Sequence, residues 1–346
     1  MAKCTIPGVT IRGVVSAVPS RLFDNLKDAT GFTGDEVRKV VSMAGVKSRR
    51  MAGESVCSSD LCQAAAEVLL ERTGWARDSV DALIMVTQSP DYLLPSTACL
   101  LQDKLGLPLS CAAFDVGLGC SGYPYGLFIG GLMLSGGGLG RVLVLHGETP
   151  ARFADESDRS VSLLFGDAGS ATALEAGGAP GAAPWSFVLC TDGSGFEDLI
   201  IPGGGFRERF PQDRRRHCVS MNGANIFSFS IKRVPAIIEE TLALAGVGKD
   251  DVDYFVLHQS NQFIMRHLAK KMGLAEAKVP LTLADFGNTG GPSIPLTMAM
   301  GSLDRPSDRP LVLMLIGYGV GLSWASALVT LDPGAVLGHT ELRNPS

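Results

Sequence analysis

RDSVDALIMVTQS (Arg77 to Ser89) and KDDVDYFVLHQS (Lys249 to Ser260) decide the fold, because the second is a weak copy of the first. Each is a short acidic turn that runs into an apolar strand of β type. Each follows a helix-like stretch, AAAEVLLERTG before the first and AIIEETLALAG before the second. The correspondence continues downstream. KLGL (Lys104 to Leu107) pairs with KMGL (Lys271 to Leu274), FDVGLGCSGYPYGLFIGGLML with ADFGNTGGPSIPLTMAMGSL, and RVLVLHGE (Arg141 to Glu148) with RPLVLMLIGYG (Arg309 to Gly319). The offset is about half of the 346 residues, and the order helix, strand, helix, strand is kept. Strands alternating with helices imply parallel sheets covered by helices. Two such halves, 1–178 and 179–346, are expected to stack into an α/β body of five layers, α/β/α/β/α.

The duplication also predicts a site. Equivalent points of the two halves meet at a pseudo-twofold axis. Cys120 and Asn288 are equivalent points, each at the start of the central helix of its half. His258 follows the strand YFVL, at the carboxyl end where α/β folds place their chemistry. Three polar groups from distant positions are therefore expected to converge.

Composition narrows the class. The chain is 46% hydrophobic and 19% charged, so it can bury a large core. A net charge of −5 gives no global basic field for nucleic acid. Lys3, Pro7, Gly8 and Arg12 interrupt any apolar signal segment. The long uncharged stretch Val116 to Gly140 contains ten glycines and Pro124, which argues for a buried helix with loops at each end rather than a membrane span. The eight cysteines (Cys4, Cys57, Cys62, Cys99, Cys111, Cys120, Cys190, Cys218) form no C-x-x-C pair, and the expectation is a cytoplasmic protein with reduced thiols. No cluster has metal-ligand spacing.

GLGCSG (Gly117 to Gly122) is literally G-x-G-x-x-G between a strand and a helix. A dinucleotide site also needs an acidic residue about twenty positions later, where this chain has Gly136 to Gly140 and then Arg141. A nucleophile on a tight turn fits better. Glycines leave room for a thioester to approach, and unpaired N–H groups at a helix start favour the thiolate. VLHQSN (Val256 to Asn261) surrounds His258 with polar residues that a merely structural histidine would not need. His146 reads as support for the fold and His267 as surface. Asn288 in GNTGGPSIP could be a turn residue or an amide donor to an oxyanion. IGYGVGLSW (Ile316 to Trp324) could be a hairpin loop or a source of backbone oxyanion donors. The basic run DRRRH (Asp213 to His217), with Arg207 and Arg209, reads as a solvated loop, with docking of an acidic carrier protein as the alternative.

Taken together, FDVGLGCSG, LLFGDAGSA (Leu163 to Ala171), HQSN, GNTGGPSIP and GYGVGLSWASALV resemble the β-ketoacyl-acyl-carrier-protein synthase III branch of the thiolase superfamily, from roughly Thr5 to Leu331. The resemblance implies a thiolase fold and a homodimer. It implies that Cys120 accepts an acyl group from acyl-CoA or acyl-carrier phosphopantetheine, with the backbone N–H groups of Cys120 and Val320 as the oxyanion hole. His258 and Asn288 would then stabilise the enolate formed from malonyl-acyl carrier protein, with no further cofactor. Arg159, Asn261, Gly319 and Gly321 match substrate-binding positions, and Leu94 matches a position that can limit the acyl pocket. The chain departs from the family where a tryptophan and an arginine clasp the CoA nucleotide: Lys39 and Met43 stand there. Gln262 and Phe263 replace a basic residue after the HQ-x-N motif, and Ala224 replaces an asparagine, with Asn225 adjacent. These changes point to a specialised priming or condensing enzyme with an altered acyl donor. The rival readings are an acyltransferase to oxygen or nitrogen, and a subunit of a condensing pair.

Overall fold

A computed structural model describes residues 1–178, 183–300, 303–306 and 308–343. Its frame is two sheets. The first has six strands in the order Val336–Leu342, Val9–Pro19, Ala168–Ala176, Arg141–Glu148, Ala82–Val86, Ala112–Val116; the second has five in the order Ala2–Ile6, Trp185–Thr191, Ser323–Leu331, Leu311–Gly319, Tyr254–Leu257. Between them lie the helices Gly122–Ser135 and Ser293–Ala299, whose Tyr123, Leu127, Ile294 and Met298 share one core with Val144 of the first sheet and Leu315 of the second. Ser58–Thr73 covers the outer face of the first sheet, and Gly223–Ala245 with Gln262–Met272 covers that of the second. These are the five layers of the thiolase fold.

The central helix explains the glycines of the uncharged stretch. A Cβ on Gly126 would stand 2.8 Å from Val144 Cγ1, and one on Gly130 would stand 2.8 Å from Leu174 Cδ1. One turn apart, these two glycines let the helix backbone settle onto the sheet. No helix among the described residues is long and apolar enough to cross a membrane.

The parallel sheets expected from alternation are corrected to mixed sheets. Ala82–Val86 runs parallel to Ala112–Val116 and to Arg141–Glu148, but Arg141–Glu148 is antiparallel to Ala168–Ala176. Likewise Tyr254–Leu257 is parallel to Leu311–Gly319, which is antiparallel to Ser323–Leu331. The reason is connection length. Only three residues join Leu311–Gly319 to Ser323–Leu331, and a link that short forces a hairpin rather than a crossover. The repeat also breaks in one place: the edge strand Ala112–Val116 has as its counterpart the one-turn helix Leu283–Phe286. The chain ends are exchanged. Ala2–Ile6 adds to the second sheet beside Trp185–Thr191, and Val336–Leu342 adds to the first beside Val9–Pro19. The boundary between residues 178 and 179 abuts 179–182, which lie outside the described residues.

Candidate active site

Cys120 sits between the strand Ala112–Val116 and the helix Gly122–Ser135, on the turn made by Gly117 to Gly119. Three contacts fix it. Ser121 Oγ lies 2.7 Å from Ser323 Oγ, tying the helix start to the second sheet. Gly317 backs directly onto this turn, where a Cβ would come within 2.6 Å of the Cys120 carbonyl oxygen. Gly319, at φ +154°, leaves space that a Cβ would take at 2.8 Å from Cys120 Sγ. The segment IGYGVGLSW is thus both a hairpin tip and a wall of the site. Burial pushes the Cys120 thiol up to about 11, and the opposing N–H donors of Val320 and of Cys120 itself do not compensate. The thiolate character expected from the helix start is outweighed by desolvation, so the resting group is the thiol.

His258 follows the strand Tyr254–Leu257 and is 1% exposed. Its Nδ1 lies 2.9 Å from Ser293 Oγ, and that hydroxyl also accepts the Gln259 N–H at 3.1 Å. Burial lowers the imidazole to about 4, against the Gly290 carbonyl, which favours the protonated form. At neutral pH the ring is therefore uncharged and has one N–H to donate. The Tyr318 ring stands edge-on to it, centroids 5.6 Å apart, and the Tyr318 hydroxyl lies 2.9 Å from Ser260 Oγ.

Asn288 precedes the second central helix. Its Oδ1 accepts the Gly290 N–H at 2.9 Å, which orients the carboxamide, and its Nδ2 makes a long bond of 3.3 Å to the Ser260 carbonyl. Its backbone is pinned by bonds from its N–H to the Leu164 carbonyl and from the Gly166 N–H to its own carbonyl. Behind this bridge the buried Arg49 donates to Phe165 O and to Asn25 Oδ1, both at 2.9 Å. Burial pushes the nearby Asp167 carboxyl up to about 6, although the Ala52 and Ala151 N–H groups donate to it.

Two cavities meet at Cys120. One, of about 290 Å³, is lined by Cys120, His258 and Asn288 and runs out past Asn261 and Gly319 to Met43 and Phe263. The other, of about 320 Å³, lies on the far side of the thiol between Gln88, Glu148, Phe153, Phe165 and Val320. Asn261 caps the helix Gln262–Met272 by accepting the Phe263 N–H at 2.8 Å. The remaining candidates lie outside both cavities. Arg159 is exposed and paired with Glu36 at 3.0 Å; Gly321 lies in the hairpin tip; Leu94 is 80% exposed. Asn225 donates its amide to Asp198 Oδ1 at 2.6 Å. His267 is exposed and packs edge-on to Phe227.

Some contributors were not legible beforehand. Ser293 lies within GNTGGPSIP, and only the fold brings its hydroxyl to His258. His146 is fully buried beneath the site, and among the described residues neither ring nitrogen has a hydrogen-bond partner. A Cβ on Gly291 would fall 1.9 Å from its Cε1, so the ring fills the space under that turn. Among the described residues no group of three or more His, Cys, Asp or Glu is placed to hold a metal.

Cys120, the neutral His258 and Asn288 thus line one cavity. Residues 114–193 match the family description 3-oxoacyl-[acyl-carrier-protein] synthase III, and residues 242–331 match its C-terminal part. A β-ketoacyl-[acyl-carrier-protein] synthase III from Syntrophomonas wolfei is 34% identical over 324 residues, covering 93% of this chain and 97% of the relative. This chain belongs to the β-ketoacyl-acyl-carrier-protein synthase III family. Among solved structures, a 3-oxoacyl-(acyl-carrier protein) synthase from Burkholderia xenovorans is 43% identical, covers 99% of both chains and superposes with a TM-score of 0.94. The priming β-ketosynthase of a polyketide biosynthetic pathway is 27% identical, with a TM-score of 0.84 over 94% of this chain and 97% of that one. Membership of the synthase III family makes the chain a thiolase-superfamily condensing enzyme.

Proposed function

We propose that this chain performs a decarboxylative Claisen condensation, joining an acyl group held on Cys120 to a malonyl thioester in fatty acid or related specialised biosynthesis. The observation that carries this reading is the convergence of Cys120, His258 and Asn288 on one cavity. Cys120 Sγ attacks the donor thioester and its proton leaves with the departing thiol. The N–H groups of Cys120 and Val320 stabilise the oxyanion of that step. A malonyl group on acyl carrier protein then loses carbon dioxide. The His258 N–H and the Asn288 amide donate to the enolate oxygen that develops, which a neutral imidazole can do without presenting a charge. The enolate carbon attacks the acyl-cysteine carbonyl, forms the new carbon–carbon bond and releases the Cys120 thiolate.

The cavity mouth supports an acyl donor carried on a protein rather than on CoA. Met43 and Phe263 are exposed there, and Phe227 stacks on Phe263 with centroids 5.6 Å apart. Arg159, the matched cation, is already neutralised by Glu36. Apolar groups suit a pantetheine arm better than a nucleotide phosphate. The polyketide relative is a priming β-ketosynthase, which supports the same placement at the start of a chain. The same reading takes 1–178 as the half that supplies the nucleophile and 179–346 as the half that supplies His258 and Asn288. It takes the chain as a cytoplasmic homodimer: all eight cysteines are unpaired, and Tyr92, Leu93 and Leu94 present an exposed apolar segment for a second copy.

Incubation with malonyl-acyl carrier protein and either acyl-carrier or acyl-CoA donors tests the proposal. Carbon dioxide release that depends on Cys120, with faster loading from the carrier, is expected. Acyl transfer to oxygen or nitrogen without carbon dioxide would overturn it.

A further inference from the structure

The cavity on the far side of Cys120 is apolar on most of its wall, through Phe153, Phe165, Leu199, Ile200 and Val219. Two polar residues interrupt it on one side, Gln88 and Glu148. The carboxyl of Glu148 is committed to the protein. Its Oε1 accepts the Gln88 backbone N–H and its Oε2 accepts the Ser89 hydroxyl, both at 2.8 Å. This fixes the backbone at Gln88. The Gln88 side chain lies over Gly119, the residue before the nucleophile: a Cβ on Gly119 would fall 2.3 Å from Gln88 Oε1. Gln88 is an exposed residue, and among the described residues neither end of its carboxamide has a hydrogen-bond partner, so the acyl group that fills the cavity beside the thiol is what takes it out of water.

A plain aliphatic acyl group entering this space would strip water from the Gln88 carboxamide and offer nothing in return. Desolvating an amide without a partner is penalised, whereas an acyl group with a hydroxyl in reach replaces the lost water. Because Gln88 rests against the residue preceding Cys120, the matching substituent belongs near the thioester and not at the chain end. The apolar remainder of the wall takes the rest of the acyl chain.

We propose that Gln88 is a specificity-determining residue that selects acyl groups bearing a hydrogen-bonding substituent, such as a hydroxyl, within the first few carbons of the thioester. The proposal rests on Cys120 being the acyl carrier. Sites that pair a substrate hydroxyl discriminate strongly against the apolar isostere, because the isostere leaves the site's own group unpaired.

The test loads the full-length protein with two isosteric N-acetylcysteamine thioesters, 3-hydroxybutyryl and 3-methylbutyryl. The rate of Cys120 acylation is followed by intact mass and expressed as kcat/KM. The wild-type protein is expected to favour the hydroxy compound by about tenfold or more. In Gln88→Leu the ratio should fall to near one or invert; Gln88→Glu, which keeps an acceptor in place, should retain part of the preference. A wild-type ratio near one, or a ratio unmoved in Gln88→Leu, overturns the role of Gln88 while leaving Cys120 as the carrier. Acylation of Cys120 by neither thioester nor any acyl-carrier donor overturns the carrier reading, and the selectivity proposal with it.

Discussion

Replacing Asn288 by aspartate separates the two donors expected to act on the enolate. Asn288 uses its Oδ1 to accept the Gly290 N–H at 2.9 Å, and aspartate keeps that bond. What disappears is the amide N–H, whose only partner among the described residues is the Ser260 carbonyl at a long 3.3 Å. Removing one preorganised oxyanion donor costs about 100- to 1000-fold in rate. An ionised aspartate adds repulsion of the developing enolate, on the order of 4 kcal/mol for two charges about 4 Å apart at an effective dielectric of 20. Asn288 is 7% exposed, so an aspartate there pays desolvation and its carboxyl is held above the usual range, where the protonated form can donate again. The variant should therefore lose more than about 1000-fold of condensation at pH 8 and recover part of it toward pH 5. Asn288→Ala should instead show a deficit relative to wild type that does not change with pH. Cys120 acylation should survive in both. The assay is carbon dioxide release from malonyl-acyl carrier protein, beside intact-mass measurement of Cys120 loading. Condensation by Asn288→Asp within tenfold of wild type at pH 8 would refute the assignment of Asn288 as a donor.

Three further outcomes follow from burial and packing. The rate of Cys120 alkylation by iodoacetamide, read from peptide masses, should climb with pH toward about 11 instead of levelling near the ordinary thiol range; a plateau below pH 9 would show an ionised resting nucleophile. Gly319→Ala places a methyl 2.8 Å from Cys120 Sγ at φ +154°, so acylation should fall about 100-fold and stability by about 1–3 kcal/mol; unchanged loading in stopped-flow acylation would contradict the packing. Burial holds His146 near 3, with neighbouring His258 a smaller cause, so the unfolded chain binds a proton there that the native state does not. The stability this group allows is fully present above about 6.5 and is lost as pH falls toward 3, roughly 3 kcal/mol of it by pH 4. Glu148 and Asp167, raised to about 7 and 6 by burial, act in the opposite sense, and their stabilisation fades as pH rises through those values. Urea unfolding of His146→Leu against wild type isolates the histidine, and the difference between the two should shrink or reverse as pH falls; equal acid sensitivity would remove the explanation.

The duplicated strand segments Arg77–Ser89 and Lys249–Ser260, and the glycine turns at Cys120 and Asn288, were sufficient for the layered fold and for expecting these residues at one site. Such features are local: hydrophobic period, turn chemistry and repeat spacing are written in consecutive residues. Strand direction was not, because the parallel rule assumes crossovers and the three-residue link after Gly319 permits only a hairpin. The exchanged terminal strands were invisible for the same reason, since no local pattern says which sheet edge an end will join. Tertiary structure alone decided the ionisation of the site. A helix start predicts an acidic thiol, but burial among both sheets pushes Cys120 to about 11 and His258 to about 4. It also decided the companions: Ser293 on His258, Gly290 on Asn288, Glu36 on Arg159 and Gln88 over Gly119. Hydrogen bonds and desolvation depend on which surfaces meet, and these surfaces come from segments as far apart as Ser121 and Ser323, more than half the chain. Local pattern was enough to single out Cys120, His258 and Asn288 as candidates; packing set the protonation state in which each of the two titratable groups rests, because burial penalises the charged form.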